Sequence, residues 1–250
     1  MIREFANIQQ ASSAAVKQIT DIAGSAVRAR GFCTIVLAGG STPRQTYEFL
    51  SAAANAAKMP WQQSHFFWGD ERWLASSHPD SNYHMAHNVL LSKVPVPSRN
   101  IHRITTRHKN PETAAALYEK HLRDFFHLKT RAGMKSNDLN MGIPSFDLVL
   151  LGMGTDGHTA SLFPGSDLLE ERKKWVAAVP PGVGSPPVAR ITLTLPLLNQ
   201  AENVIFLIAG NRKRAILDSI LTRPAEAEAL YPAARIKPVG TLLWLAAAEG

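Results

Sequence analysis

Short runs of consecutive apolar residues alternate along the chain with longer segments whose apolar residues recur at helical spacing. A short unbroken apolar run is typical of a strand buried on both faces, whereas apolar residues three or four positions apart predict an amphipathic helix. Strands that alternate with helices predict βα units and a largely parallel sheet, which is the α/β fold class. The predicted strands lie at 33–38, 65–68, 101–104, 146–151, 190–194, 203–209 and 242–245.

The segments between these strands carry the helical pattern. Thr42 is predicted to be the N-cap of the second helix, with Pro43 at the first helical position. The polar stretch 129–144 contains Gly and Asn and is predicted to be an exposed loop. The helices are predicted at 11–30, 45–57, 81–91 and 111–126, and after Gly210, where Ile216, Leu217, Ile220 and Leu221 share one face. We expect residues 1–250 to form one domain.

Composition excludes several classes of protein. With 250 residues, 45% hydrophobic and 19% charged, the chain is neither disordered, collagen-like nor a long coiled coil. Cys33 is the only cysteine, which excludes an internal disulfide and a multi-cysteine zinc site. No apolar run approaches the ~18 residues of a membrane span. The first residues lack a secretory apolar stretch, so we expect a cytoplasmic location and no membrane partner.

The charge balance points to an anionic ligand. Lys and Arg number 27 against 20 Asp and Glu, a net charge of +7. The basic residues are scattered and lack interleaved aromatics, which favours a small anion over nucleic acid, although a solvated basic surface without function would explain the excess equally well. His84 and His87 have a spacing that could ligate a metal, but no third ligand accompanies them, so we expect no metal.

Four polar, glycine-bearing loops follow predicted strands, at 39–42, 69–72, 152–158 and 210–213. Ligands of open α/β sheets bind beyond the carboxyl ends of the strands. In the first loop, two glycines allow close approach of the backbone to an anion, and the following helix offers free N–H groups, so the loop predicts a phosphate cradle. A plain turn with a helix cap is the alternative. The loop lacks the lysine of a P-loop, which argues against a nucleotide.

His158 lies in the third of these loops, a setting typical of a general base near neutral pH. Asp156 is close enough in sequence to orient the ring or to bind the substrate. We expect the cations Arg72, Arg190 and Lys213 to converge on the same edge of the sheet. A lysine at a helix start is unfavourable unless an anion binds there. A solvated Lys213, and a local ion pair of Arg72 within its acidic loop, are the alternatives.

Several longer motifs occur in a fixed order along the chain. They read Leu37-Ala38-Gly39-Gly40-Ser41-Thr42-Pro43, Gly69-Asp70-Glu71-Arg72 with Asp80-Ser81-Asn82, Phe146-Asp147-Leu148-Val149-Leu150-Leu151-Gly152-Met153-Gly154, Asp156-Gly157-His158-Thr159-Ala160-Ser161-Leu162-Phe163-Pro164, Arg190-Ile191-Thr192-Leu193-Thr194, and Gly210 with Lys213. In type and order these motifs resemble the 6-phosphogluconolactonase family. The resemblance covers nearly the whole chain, from about 35 to 240.

The resemblance implies hydrolysis of 6-phospho-D-glucono-1,5-lactone to 6-phospho-D-gluconate in the oxidative pentose phosphate pathway, without a metal or an organic cofactor. It implies a Rossmann-like three-layer domain with a mostly parallel central sheet and helices on both faces, a fold shared with glucosamine-6-phosphate deaminases. His158 would activate water, and Asp156 would be a second catalytic-site residue. By the same resemblance, substrate and phosphate would be held by Gly39, Gly40, Ser41, Thr42, Asp70, Arg72, Arg190 and Lys213.

Two alternatives share this fold. An amino-sugar-phosphate deaminase or isomerase places a glutamate a few residues past the glycine-histidine motif, whereas the first acid after His158 here is Asp167. A non-catalytic sugar-phosphate sensor could dispense with His158 and would normally carry a DNA-binding segment. We therefore expect an enzyme whose partner is a small phosphorylated sugar lactone, acting as a monomer or weak homodimer.

Overall fold

The computed structural model describes residues 1–131 and 142–249. Within these residues the chain forms strands and helices in alternation, as the apolar pattern predicts. The strands are β1 (Ile2–Asn7), β2 (Cys33–Leu37), β3 (Ser64–Trp68), β4 (Asp70–Arg72), β5 (Ile101–His102), β6 (Leu148–Gly152), β7 (Val176–Val179), β8 (Arg190–Leu193), β9 (Asn203–Ala209) and β10 (Thr241–Glu249). The α-helices are α1 (Ile8–Arg30), α2 (Ser41–Ser51), α3 (Ala53–Ala56), α4 (Asn82–Ala86), α5 (Pro111–Arg131), α6 (Leu195–Leu198), α7 (Asn211–Thr222) and α8 (Pro224–Leu230).

The central sheet contains seven strands in the order β1-β10-β9-β6-β2-β3-β5. All of its pairings are parallel. Every residue of β2 is buried, as are Phe66, Phe67 and Trp68 of β3, which requires both faces of the sheet to be covered. The prediction of an α/β fold with a mostly parallel central sheet is confirmed.

Strands β4, β8 and β7 form a second, antiparallel sheet that the sequence pattern did not predict as a unit. Strand β4 has only three residues, all of them charged, so it carries no apolar periodicity by which a strand could be predicted. Its pairing with β8 sets Asp70 opposite Thr192 and Arg72 opposite Arg190. This small sheet therefore brings two distant segments of the sequence, each with an arginine, side by side.

The element boundaries differ from the predicted ones at several points. Strand β1 precedes α1 and was not predicted, because at the edge of the sheet its residues are half-buried or exposed and none is fully buried. Helix α2 begins at Ser41 with Gly40 as its N-cap, so the prediction that Thr42 is the N-cap is wrong. The reason is the backbone of Gly40, whose φ of 99° favours glycine and lets the helix begin two residues earlier than predicted. Pro43 is then the third residue of the helix rather than the first.

Helix α5 continues to Arg131, beyond the predicted start of the loop at 129–144, and residues 132–141 of that predicted loop lie outside the described residues. On α7, Ile216 and Leu217 are buried as predicted, whereas Leu221 is exposed. No helix among the described residues is both long and apolar enough to span a bilayer.

Candidate active site

A cleft of about 260 Å³ opens at the carboxyl edge of the central sheet. Strands β9, β6, β2 and β3 are neighbours there, and the four glycine-bearing loops that follow them all reach the cleft. The order of the strands reverses between β6 and β2, which is the position where open α/β sheets bind their ligands. Of the predicted site residues, those lining the cleft are Gly39, Gly40, Ser41, Thr42, Asp70, Arg72, His158, Arg190 and Lys213.

One wall of the cleft is the N-terminus of α2. Ser41 and Thr42 are its first two residues, and the first helical backbone bond is donated by Arg44 to the Gly40 carbonyl at 3.1 Å. The N–H groups of the first turn therefore have no helical acceptor, and the first turn contains no acidic residue. This arrangement has the free donors and the positive dipole end that bind anions.

Lys213 lies in the first turn of α7 and contributes to the same cleft. Its side chain is half-buried, and burial lowers the pKa of the Lys213 ammonium. Across residues 1–131 and 142–249, no carboxylate lies within ion-pair distance of this ammonium. A partly desolvated cation that lacks a counterion and lies at the start of a helix strongly favours the binding of an anionic ligand.

His158 and Asp156 form a hydrogen-bonded pair at the cleft. The Nδ1 atom of His158 lies 2.6 Å from Oδ1 of Asp156, which also accepts the backbone N–H of His158 at 3.1 Å. Partial burial acts to raise the pKa of Asp156, but the hydrogen bonds and charge of His158 outweigh it and hold the pKa of this carboxyl below its usual range. An ionised carboxylate only accepts, so Nδ1 carries the proton and Nε2 has the free lone pair.

The loop that carries this pair is tightly packed. The Gly154 N–H donates to the His158 carbonyl at 2.9 Å, and Thr159 Oγ1 donates to the Gly152 carbonyl at 2.8 Å. A Cβ atom on Gly154 would lie 2.1 Å from His158 Nδ1 and 2.5 Å from Asp156 Oδ1. Glycine is therefore required there, because any side chain would occupy the space of the pair.

A further wall of the cleft, formed by β4 and β8, carries Asp70, Arg72 and Arg190. Arg190 is buried, its Nη2 donates to the Pro186 carbonyl at 3.0 Å, and its Nη1 lies 4.0 Å from Asp70 Oδ2. Burial lowers the pKa of the Arg190 guanidinium, and the charge of Asp70 opposes this. Arg72 donates from Nη1 to the Asp80 carbonyl at 2.7 Å. The Nε atoms of both arginines are buried without a partner among the described residues.

Glu71 holds this wall in place and was not among the predicted site residues. Its carboxylate accepts the backbone N–H groups of Arg72, Asn82 and Tyr83, each at 2.8 Å, and the Ser81 hydroxyl at 3.0 Å. Burial raises the pKa of the Glu71 carboxyl, and these four donors oppose the shift. The side chain therefore connects β4 to the start of α4, and its place in the motif Gly69-Asp70-Glu71-Arg72 was the available signal.

Sequence reasoning also missed Asn82 and Ser185, which line the cleft, and Ser161, which donates to Asp70 Oδ2 at 2.6 Å. Asn82 and Ser161 belong to quoted motifs, so their presence in a motif was the available signal. Ser185 lies in a Pro- and Gly-rich loop whose approach to the cleft depends on tertiary structure. No group of three or more potential metal ligands is arranged around a common point in the described part of the chain.

Comparison with known proteins gives concordant matches. A family model described as glucosamine-6-phosphate isomerases/6-phosphogluconolactonase matches residues 6–244. A 6-phosphogluconolactonase of Nostoc sp. is 42% identical over 221 residues, covering 88% of this chain and 84% of that protein. Both matches extend across the cleft residues.

Solved structures resemble this one throughout. The crystal structure of a 6-phosphogluconolactonase from Thermotoga maritima has a TM-score of 0.80 and 31% identity, covering 100% of this chain and 99% of that one. A monomeric glucosamine-6-phosphate deaminase has a TM-score of 0.75 at 18% identity, covering 97% of this chain and 96% of that one. The second likeness shows the shared fold alone.

Proposed function

The chain belongs to the family of glucosamine-6-phosphate isomerases and 6-phosphogluconolactonases, and we propose that it hydrolyses 6-phospho-D-glucono-1,5-lactone to 6-phospho-D-gluconate in the oxidative pentose phosphate pathway. The observation that carries this proposal is the oriented His158–Asp156 pair in a cleft whose walls also present a cation and a helix N-terminus. Such a site combines a base with an anion anchor, which a phosphorylated lactone requires.

The phosphate is anchored by the start of α2, by Lys213 and by the two arginines of the small sheet. Ser41 and Thr42 contribute the N–H groups at the start of α2, the preceding Gly39-Gly40 turn allows close approach, and Lys213 supplies a positive charge. The buried Arg190 and the half-buried Arg72 add guanidinium groups whose Nε donors have no partner among the described residues. Anchoring the phosphate away from the reacting carbon fixes the ring carbonyl relative to His158, which lowers the entropic part of the barrier.

The reaction needs one base and no covalent intermediate. His158 Nε2 accepts a proton from water as the water oxygen bonds to the lactone carbonyl carbon, and Asp156 stabilises the imidazolium that forms. The resulting oxyanion collapses, the bond from this carbon to the ring oxygen breaks, and the imidazolium returns its proton to that oxygen. The net change is one water added, giving a carboxylic acid and a hydroxyl. The positive groups of the cleft favour the oxyanion.

A lactone is an activated ester, so a positioned base suffices for this chemistry and we propose that it proceeds without a metal or organic cofactor. The substrate is a charged metabolite, which favours action in the cytoplasm. We propose further that the protein acts as a monomer or weak homodimer, since all the groups invoked belong to one chain.

The proposal is tested by a coupled assay of freshly generated lactone, corrected for spontaneous hydrolysis. We expect the wild-type protein to accelerate hydrolysis and His158→Ala to lower kcat by about 10²- to 10⁴-fold, the usual contribution of a general base. The affinity for 6-phosphogluconate should change little, because the anchoring groups remain. His127→Ala, which replaces a histidine of α5 outside the cleft, is the matched control and should retain wild-type activity.

Wild-type turnover in His158→Ala would remove this residue as the base. Release of ammonia from glucosamine 6-phosphate by the wild-type protein, without lactone hydrolysis, would instead identify the deaminase activity of the same family. Against that activity, Asp167 is the first acid after His158 and lies exposed, outside the cleft.

A further inference from the structure

The carboxylate of Asp70 is buried in the wall of the cleft and is held by neutral donors from two different segments. Asn82 Nδ2 donates to its Oδ1 at 3.0 Å, and Ser161 Oγ donates to its Oδ2 at 2.6 Å. Arg190 Nη1 is 4.0 Å from the same Oδ2, beyond hydrogen-bond distance. A carboxylate and a guanidinium, both buried, therefore face each other without forming the direct pair that such groups normally make.

Ser161 is placed rigidly enough to hold this separation. The residue is fully buried, and its backbone N–H donates to Thr192 Oγ1 at 3.1 Å. Thr192 is the cross-strand partner of Asp70 in the small sheet. The preceding residue, Ala160, has a φ of 49°, a left-handed conformation that is unfavourable for alanine and that the flanking contacts maintain. The Ser161 hydroxyl is thus fixed by the fold rather than free to follow Asp70.

Arg190 keeps unused hydrogen-bonding capacity as a result. Its Nη2 donates to the Pro186 carbonyl at 3.0 Å, and its Nε has no partner within the described ranges. A direct, bidentate pair with Asp70 would occupy Nη1, the nitrogen that faces this carboxylate, together with a second guanidinium nitrogen, and it would neutralise the positive charge of Arg190. An anion entering the cleft would then find a weaker site.

We propose that Ser161 is a positioning residue for substrate binding. By binding Asp70 Oδ2, it keeps this carboxylate from pairing directly with Arg190 and so leaves the guanidinium available to the phosphate of the substrate. Asp70 then contributes to phosphate binding indirectly, as the group that aligns Arg190. The inference rests on the proposed function of the cleft, because it assigns Arg190 to the phosphate of that substrate.

The test is a double-mutant cycle of Ser161→Ala and Asp70→Asn. The readouts are KM and kcat for the lactone, and the Kd for inorganic phosphate from titration calorimetry. In the wild-type background, Ser161→Ala should raise KM and the phosphate Kd about tenfold, while kcat changes less than about twofold. In the Asp70→Asn background the same substitution should have almost no effect, because an uncharged amide does not draw Arg190 out of the cleft.

Ser12→Ala is the matched control: this serine of α1 is also fully buried and lies outside the cleft, and its loss should leave KM unchanged. Asn82→Ala removes the donor to the other carboxylate oxygen of Asp70. It should raise KM and the phosphate Kd in the wild-type background but not in Asp70→Asn, so it provides the same test if Ser161→Ala does not fold. An equal rise of KM and of the phosphate Kd in both backgrounds would overturn the inference, as would a loss of kcat at constant KM.

If the wild-type protein lacked lactonase activity, the proposed function would fail. The phosphate Kd values of the four variants in the cycle would still show whether the effect of Ser161 on anion binding depends on Asp70.

Discussion

At the scale of single residues, the most important feature of the site is which ring nitrogen of His158 carries the proton. An imidazole acts as a base only through an unprotonated nitrogen, and the contact of Asp156 at 2.6 Å determines which nitrogen that is. The low pKa of Asp156 keeps its carboxylate charged at neutral pH, so it accepts a hydrogen bond and cannot donate one. The motif Asp156-Gly157-His158 allowed both residues to be predicted, but the contact between them required the turn at Gly157 and the space at Gly154.

We therefore expect Asp156→Asn to lower kcat about 100-fold, because an amide can donate to Nδ1 and favour the wrong tautomer. KM should change less than about twofold. Both constants are measured with the coupled lactone assay.

Asp167→Asn, an exposed acid outside the cleft, is the control for this prediction. An unaltered kcat in Asp156→Asn would mean that the carboxylate does not orient the base.

At the scale of elements, strands β3 and β5 and helix α5 are connected by a row of three imidazoles. His65 Nδ1 lies 3.0 Å from His102 Nε2, and His102 Nδ1 lies 2.8 Å from His121 Nε2. A neutral imidazole offers one donor and one acceptor, so such a row is satisfied when its members are neutral. Desolvation of the ring lowers the pKa of His121, with the charge of Asp124 opposing it.

A lowered histidine pKa in the folded state means that the unfolded chain binds more protons at mildly acidic pH, so stability falls as the pH drops through about 6.5. We expect the free energy of unfolding, measured in urea, to decrease between pH 7.5 and pH 5.5. His121→Gln should reduce this decrease, because glutamine does not titrate. His127→Gln, on the same helix, should retain the wild-type dependence. Identical pH dependence in His121→Gln and the wild type would contradict this interpretation.

The elements that escaped prediction share a physical cause. Strand β4 is short and fully charged, and β1 lies at an edge with a mixed pattern of burial, so neither presents the unbroken apolar run of a central strand. Both are stabilised by pairing with residues far away in sequence, Thr192 and Trp244 among them. Their positions depend on partners that no local window contains.

At the scale of the whole molecule, the cleft joins segments that are distant in sequence. Loops after β2, β3, β6 and β9 meet at one edge, and the small antiparallel sheet adds Arg190. A ligand that contacts all of these segments binds only the folded chain, so its binding energy adds to the stability of the fold.

We expect 6-phosphogluconate at about 100 times its Kd to raise the free energy of unfolding by about 2.7 kcal/mol. Lys213→Ala should require several-fold more ligand for the same gain. It should also raise KM with little change in kcat, because in the proposed site this charge binds the phosphate and takes no part in the chemical step. Urea denaturation at increasing ligand concentrations measures the gain. Lys17→Ala is the control, since Lys17 pairs with Asp21 on the exposed side of α1. An unchanged ligand requirement in Lys213→Ala would remove it from the phosphate site.

The sequence by itself determined the alternation of strands and helices, the glycine-bearing loops at the strand ends, and the residues able to supply a base and an anion site. These features are readable because burial imposes a period on apolar residues, and because turns and helix starts require particular residue types. Only the tertiary structure decided the strand order that makes β9, β6, β2 and β3 neighbours. It also decided the register of β4 on β8, which sets Arg72 opposite Arg190, and the hydrogen bonds of Asp70 with Ser161 and Asn82. Contacts of this kind join residues far apart along the chain, and their geometry follows from packing of the whole molecule rather than from local preference.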